Sequence, residues 1–123
     1  MAAGKRRRLS RSGEFDRVYR EGSSHGNRFL VVYRFPRADE DGDDLRLGVS
    51  VGRKVGGAVE RNRVKRALRE AFWSLEAELP QGHDFVIVAR SEVVGLIERE
   101  GADGLRESLR EGLNEGSERE RLP

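Results

Sequence analysis

Val55-Gly56-Gly57-Ala58-Val59-Glu60-Arg61-Asn62-Arg63-Val64-Lys65-Arg66-Ala67-Leu68-Arg69-Glu70 is the most regular stretch of the chain, and it runs on through Ala71, Phe72 and Trp73. Val64, Ala67, Leu68, Ala71 and Phe72 recur at i, i+3, i+4, i+7 and i+8, the spacing of one buried helical face. At about 100° per residue, Asn62, Lys65, Arg66 and Arg69 gather on the opposite side. Arg61 and Arg63 flank that group. The helix is therefore two-sided, apolar inward and cationic outward. Arg53 and Lys54 precede it in a glycine-rich connector, Gly52 to Gly57, and the segment from Arg46 to Trp73 carries eight basic residues against Glu60 and Glu70. Such a surface releases condensed counterions when it meets phosphates, which makes binding salt-dependent. The bland alternative is a solvated charged face, but cations clustered with so few interleaved acids favour a polyanion partner.

The flanking segments read as strands and helices in turn. Upstream, Leu45, Leu47, Val49 and Val51 alternate as a strand does, and Asn27 to Phe35 is rich in aromatic and β-branched residues up to Pro36. The acidic turn from Ala38 to Asp44 joins these two strands. A helix is predicted after Ser12, an N-cap residue type, with Phe15, Val18 and Tyr19 on one face and Gly22 as its stop. Downstream, Pro80-Gln81-Gly82 breaks to a strand at Phe85–Ala89. A last helix follows from Val93 to about Leu113 on Leu96, Ile97, Leu105, Leu109 and Leu113, interrupted by Gly101 and Gly104. Residues 1–8 read as a flexible basic arm and residues 116–123 as a frayed tail. The 123 residues make one domain.

Composition narrows the function classes. With 37% charged residues and a mean hydropathy of −0.72, the core is thin and the surface heavily charged. No run of about 18 apolar residues exists to span a membrane. Cysteine is absent, which removes disulfides and thiolate metal sites and fits a cytoplasmic location. The net charge of +2 conceals a split: residues 1–72 hold 18 Lys/Arg against 10 Asp/Glu, and residues 73–123 hold 6 against 12. Protein-based catalysis has little support. His25 and His83 lack metal-ligand spacing, no Gly-x-Ser-x-Gly occurs, and the Gly52–Gly57 connector lacks the Gly-Lys-Ser/Thr ending of a phosphate loop. Asp16 and Asp84 are carboxylates that could hold a metal, but in so charged a chain they read as surface groups.

The Val55–Glu70 run, with its Arg61-Asn62-Arg63 triplet, Lys65-Arg66 and Arg69, resembles the signature of the bacterial ribonuclease P protein family. The resemblance extends in order through Leu9, Glu14–Gly22, Asn27-Arg28, the strand to Tyr33, Leu47–Val51 and Asp84–Arg90. It implies an α+β fold, an αβββαβα sandwich with a small mixed sheet packed on helices and a left-handed βαβ crossover. The hand comes from the resemblance alone, because general rules favour a right-handed one. It also implies the protein subunit of a ribonucleoprotein endoribonuclease that removes the 5′ leader of precursor tRNA. The catalytic RNA subunit then performs the chemistry and holds most of the Mg2+, and the protein supplies no catalytic residue and needs no protein partner.

Carried over by position, Arg53, Lys54, Arg61, Asn62, Arg63, Lys65, Arg66 and Arg69 face the catalytic RNA. Phe15, Tyr19 and Tyr33 line a cleft for the single-stranded leader, where stacking accepts any base. Spacing alone reads Phe15 and Tyr19 as core; the resemblance turns them outward. Tyr33 and Phe35 share one strand face, and the sequence does not choose which is exposed. Phe29 reads as core, and Trp73 as packed under a loop at the helix end. The chain is less basic than the resemblance leads one to expect, and its acidic turn would repel RNA locally. A structural ribosomal protein would show the same basic face and is the second reading. A helix-turn-helix DNA binder is third, disfavoured because the basic helix sits between strands.

Overall fold

A computed structural model of the chain describes residues 6–9, 11–37 and 44–121, with side chains to residue 114. Five strands form one mixed sheet: β1 (Arg6–Arg8), β2 (Ser23–Gly26), β3 (Leu30–Pro36), β4 (Leu45–Val51) and β5 (His83–Ala89), in the order β1-β4-β5-β3-β2. The helices are α1 (Ser12–Glu21), α2 (Ala58–Ser74) and α3 (Val93–Arg121). β4 and β5 are parallel neighbours joined through α2, whereas β3 runs antiparallel to β5, and β2 to β3. Three strands between α1 and α2 give the αβββαβα order, with β1 added in front.

Strand alternation divides the chain between two cores. Leu30 and Val32 of β3, Leu45 and Leu47 of β4, and Phe85 and Ile87 of β5 point to one face. There they meet Val64, Leu68 and Phe72 of α2 and Leu96, Leu105 and Leu109 of α3, all buried. On the other face a smaller cluster of Leu9, Val18 and Val86 takes in Phe15, Tyr33, Phe35 and Val88 under α1.

Several boundaries move from their sequence expectations for local reasons. Arg6–Arg8, expected within the flexible arm, instead pair in parallel with β4, anchored by buried Leu9, whose N–H donates to the Leu47 carbonyl at 3.0 Å. The strand expected from Asn27 starts at Leu30. The Asn27 side-chain oxygen accepts the N–H groups of Phe29 (2.9 Å) and Leu30 (3.0 Å), closing a hairpin back to the polar strand β2. The cap of α1 is Arg11, one residue earlier than Ser12, and Glu14 reaches back to accept its N–H at 3.2 Å.

Gly22 stops α1 in extended rather than left-handed backbone. A Cβ there would lie 2.5 Å from the Arg34 carbonyl oxygen and 2.6 Å from that of Val18, so close approach explains the glycine. Gly101, at φ 66°, breaks α3 into two helical segments, as the sequence suggests. The backbone of α3 then continues helical to Arg121, through most of the stretch read as a frayed tail. Residues 1–5 of the arm, 38–43 of the acidic turn and 122–123 of the tail lie outside the described residues.

At the end of the sheet Asp84 of β5 is fully buried. Arg46 of β4 grips it with two donors, Nε to Oδ1 at 2.8 Å and Nη2 to Oδ2 at 2.9 Å. Arg37 adds Nη1 to Oδ1 at 2.6 Å and also donates to the Asp44 carbonyl at 2.5 Å. Arg17 of α1 approaches Oδ2 at 3.4 Å, and Arg46 extends the network to Glu14 at 2.9 Å. This corrects two sequence readings: Asp84 is no surface group, and Arg46 is not part of the outward basic set. Burial pushes the Asp84 carboxyl up, but the hydrogen bonds and charges of Arg46 and Arg37 outweigh it and hold the group below its ordinary value.

Replacing Asp84 by Asn should destabilise the fold by about 3–5 kcal/mol in denaturant unfolding, since it leaves buried guanidiniums uncompensated. Because the folded-state value is depressed, the contribution is complete above the unfolded carboxylate pKa of about 3.9. It is lost as pH falls through the folded value. The stability gap between wild type and Asp84→Asn should thus be flat around neutrality and close only in acid; a gap closing between pH 6 and 8 would contradict this assignment.

Candidate nucleic-acid interface

The two faces of α2 are sorted as the sequence predicts. Val64, Leu68, Ala71 and Phe72 are buried, which turns the polar residues between them outward. Asn62, Arg63 and Arg66 are exposed, and Arg61, Lys65 and Arg69 half-exposed, along the outer side of the helix. Arg53 and Lys54 stand exposed in the turn after β4. Arg63 lies 3.9 Å from Glu60, but among the described residues Arg53, Lys54, Arg61, Lys65, Arg66 and Arg69 meet no carboxylate. Two arginines of α3 behave differently: Arg106 pairs with Asp103, and Arg110 with Glu78 and Glu107. A merely solvated charged face would show the α3 pattern, with neighbours of opposite sign. The α2 face keeps its charge.

Phe15, Tyr19 and Tyr33 are brought together on the opposite side of the sheet. The Tyr19 ring meets Tyr33 edge-on at 4.9 Å and lies 6.4 Å from Phe15. Phe15 is half-buried against Gly48, whereas Tyr19 is 37% exposed. The core reading by spacing therefore holds for Val18 and in part for Phe15, and fails for Tyr19. Burial raises the Tyr19 phenol above its ordinary value, against the lowering effect of its hydrogen bond with Ser50. Tyr33 and Phe35 are both half-buried, with the Arg17 guanidinium 5.0 Å from the Phe35 ring centre. Phe29 packs against the main core. Trp73 is half-buried, edge-on to Phe72 and covered by Arg6 of β1 rather than by a loop.

Ser50 joins the aromatic group to an open groove of about 710 Å³, whose walls include Arg53, Lys54, Val88 and Arg90. An apolar, aromatic floor thus leads into a cationic rim, a combination suited to a single strand with stackable bases and a charged backbone. Arg90 was not singled out from sequence; its place just after β5, beside the turn holding Arg53, was the available signal.

The chain matches the family model described as Ribonuclease P over residues 3–114. It belongs to the ribonuclease P protein family. The ribonuclease P protein component of Bacillus cereus (strain B4264) is 43% identical over 86 residues, 70% of this chain and 73% of that protein. That of Bacillus pumilus is 38% identical over 106 residues, 86% and 87% respectively. Among solved structures, the protein from Thermotoga maritima superposes with a TM-score of 0.74 at 34% identity, covering 85% of this chain and 92% of that one. A structure from Staphylococcus aureus gives 0.73 at 33%, covering 87% and 92%. The chain is accordingly the protein component of a ribonucleoprotein endoribonuclease that processes the 5′ end of tRNA. The ribosomal-protein and helix-turn-helix readings fall with that match.

Gly48 offers a direct check on how the aromatic floor is set. A Cβ at this position would sit 2.5 Å from Phe15 Cζ, so Gly48→Ala must push the ring off the sheet. The substitution should cost about 1–3 kcal/mol, as overpacking does, and should shift the Tyr19 and Tyr33 ring resonances. Unchanged stability and unchanged ring shifts would mean that Phe15 does not pack there.

Proposed function

We propose that the outer face of α2, with Arg53 and Lys54, docks on the catalytic RNA subunit, and that the Phe15–Tyr19–Tyr33 floor receives the single-stranded leader of precursor tRNA. The observation that carries this reading is the row of cations on α2, of which Arg61, Lys65, Arg66 and Arg69 meet no carboxylate among the described residues and Arg63 only Glu60 at 3.9 Å. Each phosphate it engages releases counterions, and the arginine forks suit phosphate oxygens. The leader, being unpaired, presents bases to the aromatic floor, while mature tRNA has none to offer. Cutting is assigned to the RNA and to the Mg2+ it holds. Asp84, the buried carboxylate, is already engaged by Arg46 and Arg37 and is poorly placed as a metal ligand. No further protein is required by this scheme, and no described helix is long and apolar enough to cross a membrane.

Arg61, Arg66 and Arg69 replaced together by Ala should weaken holoenzyme assembly and flatten its salt dependence by about one unit of slope per lost phosphate contact. The melting temperature should hold, because these side chains lie off the Val64–Leu68–Phe72 face. Unchanged affinity and slope would sink the docking assignment. Tyr19→Ala should weaken holoenzyme binding of leader-bearing tRNA several-fold, within the roughly 1–3 kcal/mol of a stacked base, and leave mature tRNA binding unchanged. Equal losses for both substrates would reject the leader site. Rigorously RNA-free protein given Mg2+ should leave precursor tRNA intact; cleavage at the holoenzyme's rate would overturn the division of labour.

A further inference from the structure

A groove of about 210 Å³ runs between β1 and the C-terminal half of α2, lined by Arg6, Arg7, Arg8, Leu47, Arg69 and Trp73. In the parallel ladder Arg6 lies opposite Leu45 and Arg8 opposite Leu47. Both leucines belong to the core beneath α2, and residues opposite one another in a ladder share a face. Arg6 and Arg8 therefore project on the α2 side. Arg69 and Trp73 are one turn apart on α2, in line with Lys65 and Arg61 at i, i+4 spacing. The basic stripe of α2 continues, without a gap, onto the edge strand.

Of the arginines on the α2 side of the groove, Arg6 is held and Arg8 and Arg69 are not. Arg6 lies 5.1 Å from the centre of the Trp73 ring and donates to Glu76 from Nε (2.9 Å) and Nη2 (2.7 Å). Arg7 pairs with Asp44 at 3.1 Å. Arg8 and Arg69 meet no carboxylate among the described residues. They face each other instead: burial and the charge of Arg8 together draw the Arg69 guanidinium below its ordinary value. On the α2 side, Arg6, Arg8 and Arg69 against Glu76 leave an excess of two positive charges, while Arg7, on the other face of the strand, is matched by Asp44. The strand does not need Arg8 for its own anchoring, which backbone pairing and buried Leu9 supply. Like charges held side by side repel until an anion joins them.

We propose that this groove is a second docking point for the catalytic RNA, in which one backbone phosphodiester seats between Arg8 and Arg69 and Arg6, fixed on Trp73, walls the entrance. The proposal rests on the α2 docking reading and extends it to an edge strand and to Trp73. Continuity with the α2 stripe favours the RNA subunit over a free anion, since one backbone can follow Arg61, Lys65 and Arg69 into the groove.

The test compares full-length Arg8→Ala with an Arg61→Ala/Arg66→Ala variant, each titrated with the catalytic RNA alone across a range of salt, beside melting curves. Arg8→Ala should weaken assembly roughly tenfold and lower the salt slope by about one, with a melting temperature unchanged or raised. Arg8→Ala/Arg69→Ala should lose less than the product of the single losses, because both arginines share one phosphate. Arg8→Gln, which keeps a polar stem in the groove, should reproduce the loss without unfolding. If Arg8→Ala assembles like wild type while the α2 variant binds weakly, the groove is no RNA contact and the α2 reading survives. An unchanged α2 variant removes that reading, and Arg8→Ala still decides the groove by its own affinity and slope. A loss seen only on adding precursor tRNA, or only with a large fall in melting temperature in both Arg8 variants, overturns the proposal.

Discussion

Asp84 is the point at which the layers are tied together. It sits on the central strand β5, with Arg46 from β4 on one side and Arg37 from the end of β3 on the other, and Arg17 reaches it from α1. A buried carboxylate costs several kcal/mol of desolvation, and a single cation offsets that poorly. Here the bidentate grip of Arg46 and the short bond from Arg37 satisfy both oxygens. Arg46 then passes the constraint to Glu14, whose other oxygen caps α1. The orientation of α1 over the sheet follows, and with it the seating of Phe15 on Gly48 and of Tyr19 against Tyr33. The aromatic floor is thus held by a network whose contacts on α1, Glu14 and Arg17, stand on either side of Phe15 in the same helix.

That network also decides which arginines remain for other work. Arg17, Arg37 and Arg46 are spent internally, and Arg106 and Arg110 are matched by acids on and beside α3. Among the described residues, most of what is left unmatched lies on α2 and the turn before it, with Arg8 beside them on β1. Counting arginines by sequence does not separate these groups; counting their partners does.

The larger architecture was legible because its signals were periodic. The α2 face, the β4 and β5 strands and the leucine positions of α3 all follow from spacing, and the αβββαβα order follows from the resemblance. β2 was not legible from its residues: Ser23-Ser24-His25-Gly26 has little strand propensity and is paired only because Asn27 turns the chain back onto β3. β1 was hidden for a similar reason, since three arginines read as a solvated arm until Leu9 is seen to be buried. For the candidate site, periodicity located the cationic face but could not say that it lacks internal partners, which is a tertiary property. Spacing likewise could not separate Phe15, half-buried, from Tyr19, exposed, although the two sit one turn apart. Asp84 carried a signal in plain view: a charged residue whose alternation partner Val86 is buried in the same strand must itself be buried or lie at its edge.

The modest net charge of +2 is compatible with tight binding to a polyanion once distance is considered. Charges interact over roughly 8 Å at physiological salt, so an RNA backbone on α2 senses the charges beside it and not the total of the chain. The acids of residues 73–123 are partly consumed by Arg6, Arg28, Arg106 and Arg110, which further lowers the repulsion they exert. A chain that pairs its acids locally and leaves one stripe of cations unpaired can present a strongly positive surface at almost neutral overall charge. The arrangement also sets orientation, because the α2 stripe lies across the sheet from the aromatic floor, with Arg53 and Lys54 on the rim of the groove that the floor leads into. Under the proposed docking, an RNA held on α2 leaves the α1 side of the sheet open to a second strand, as the proposed leader site requires.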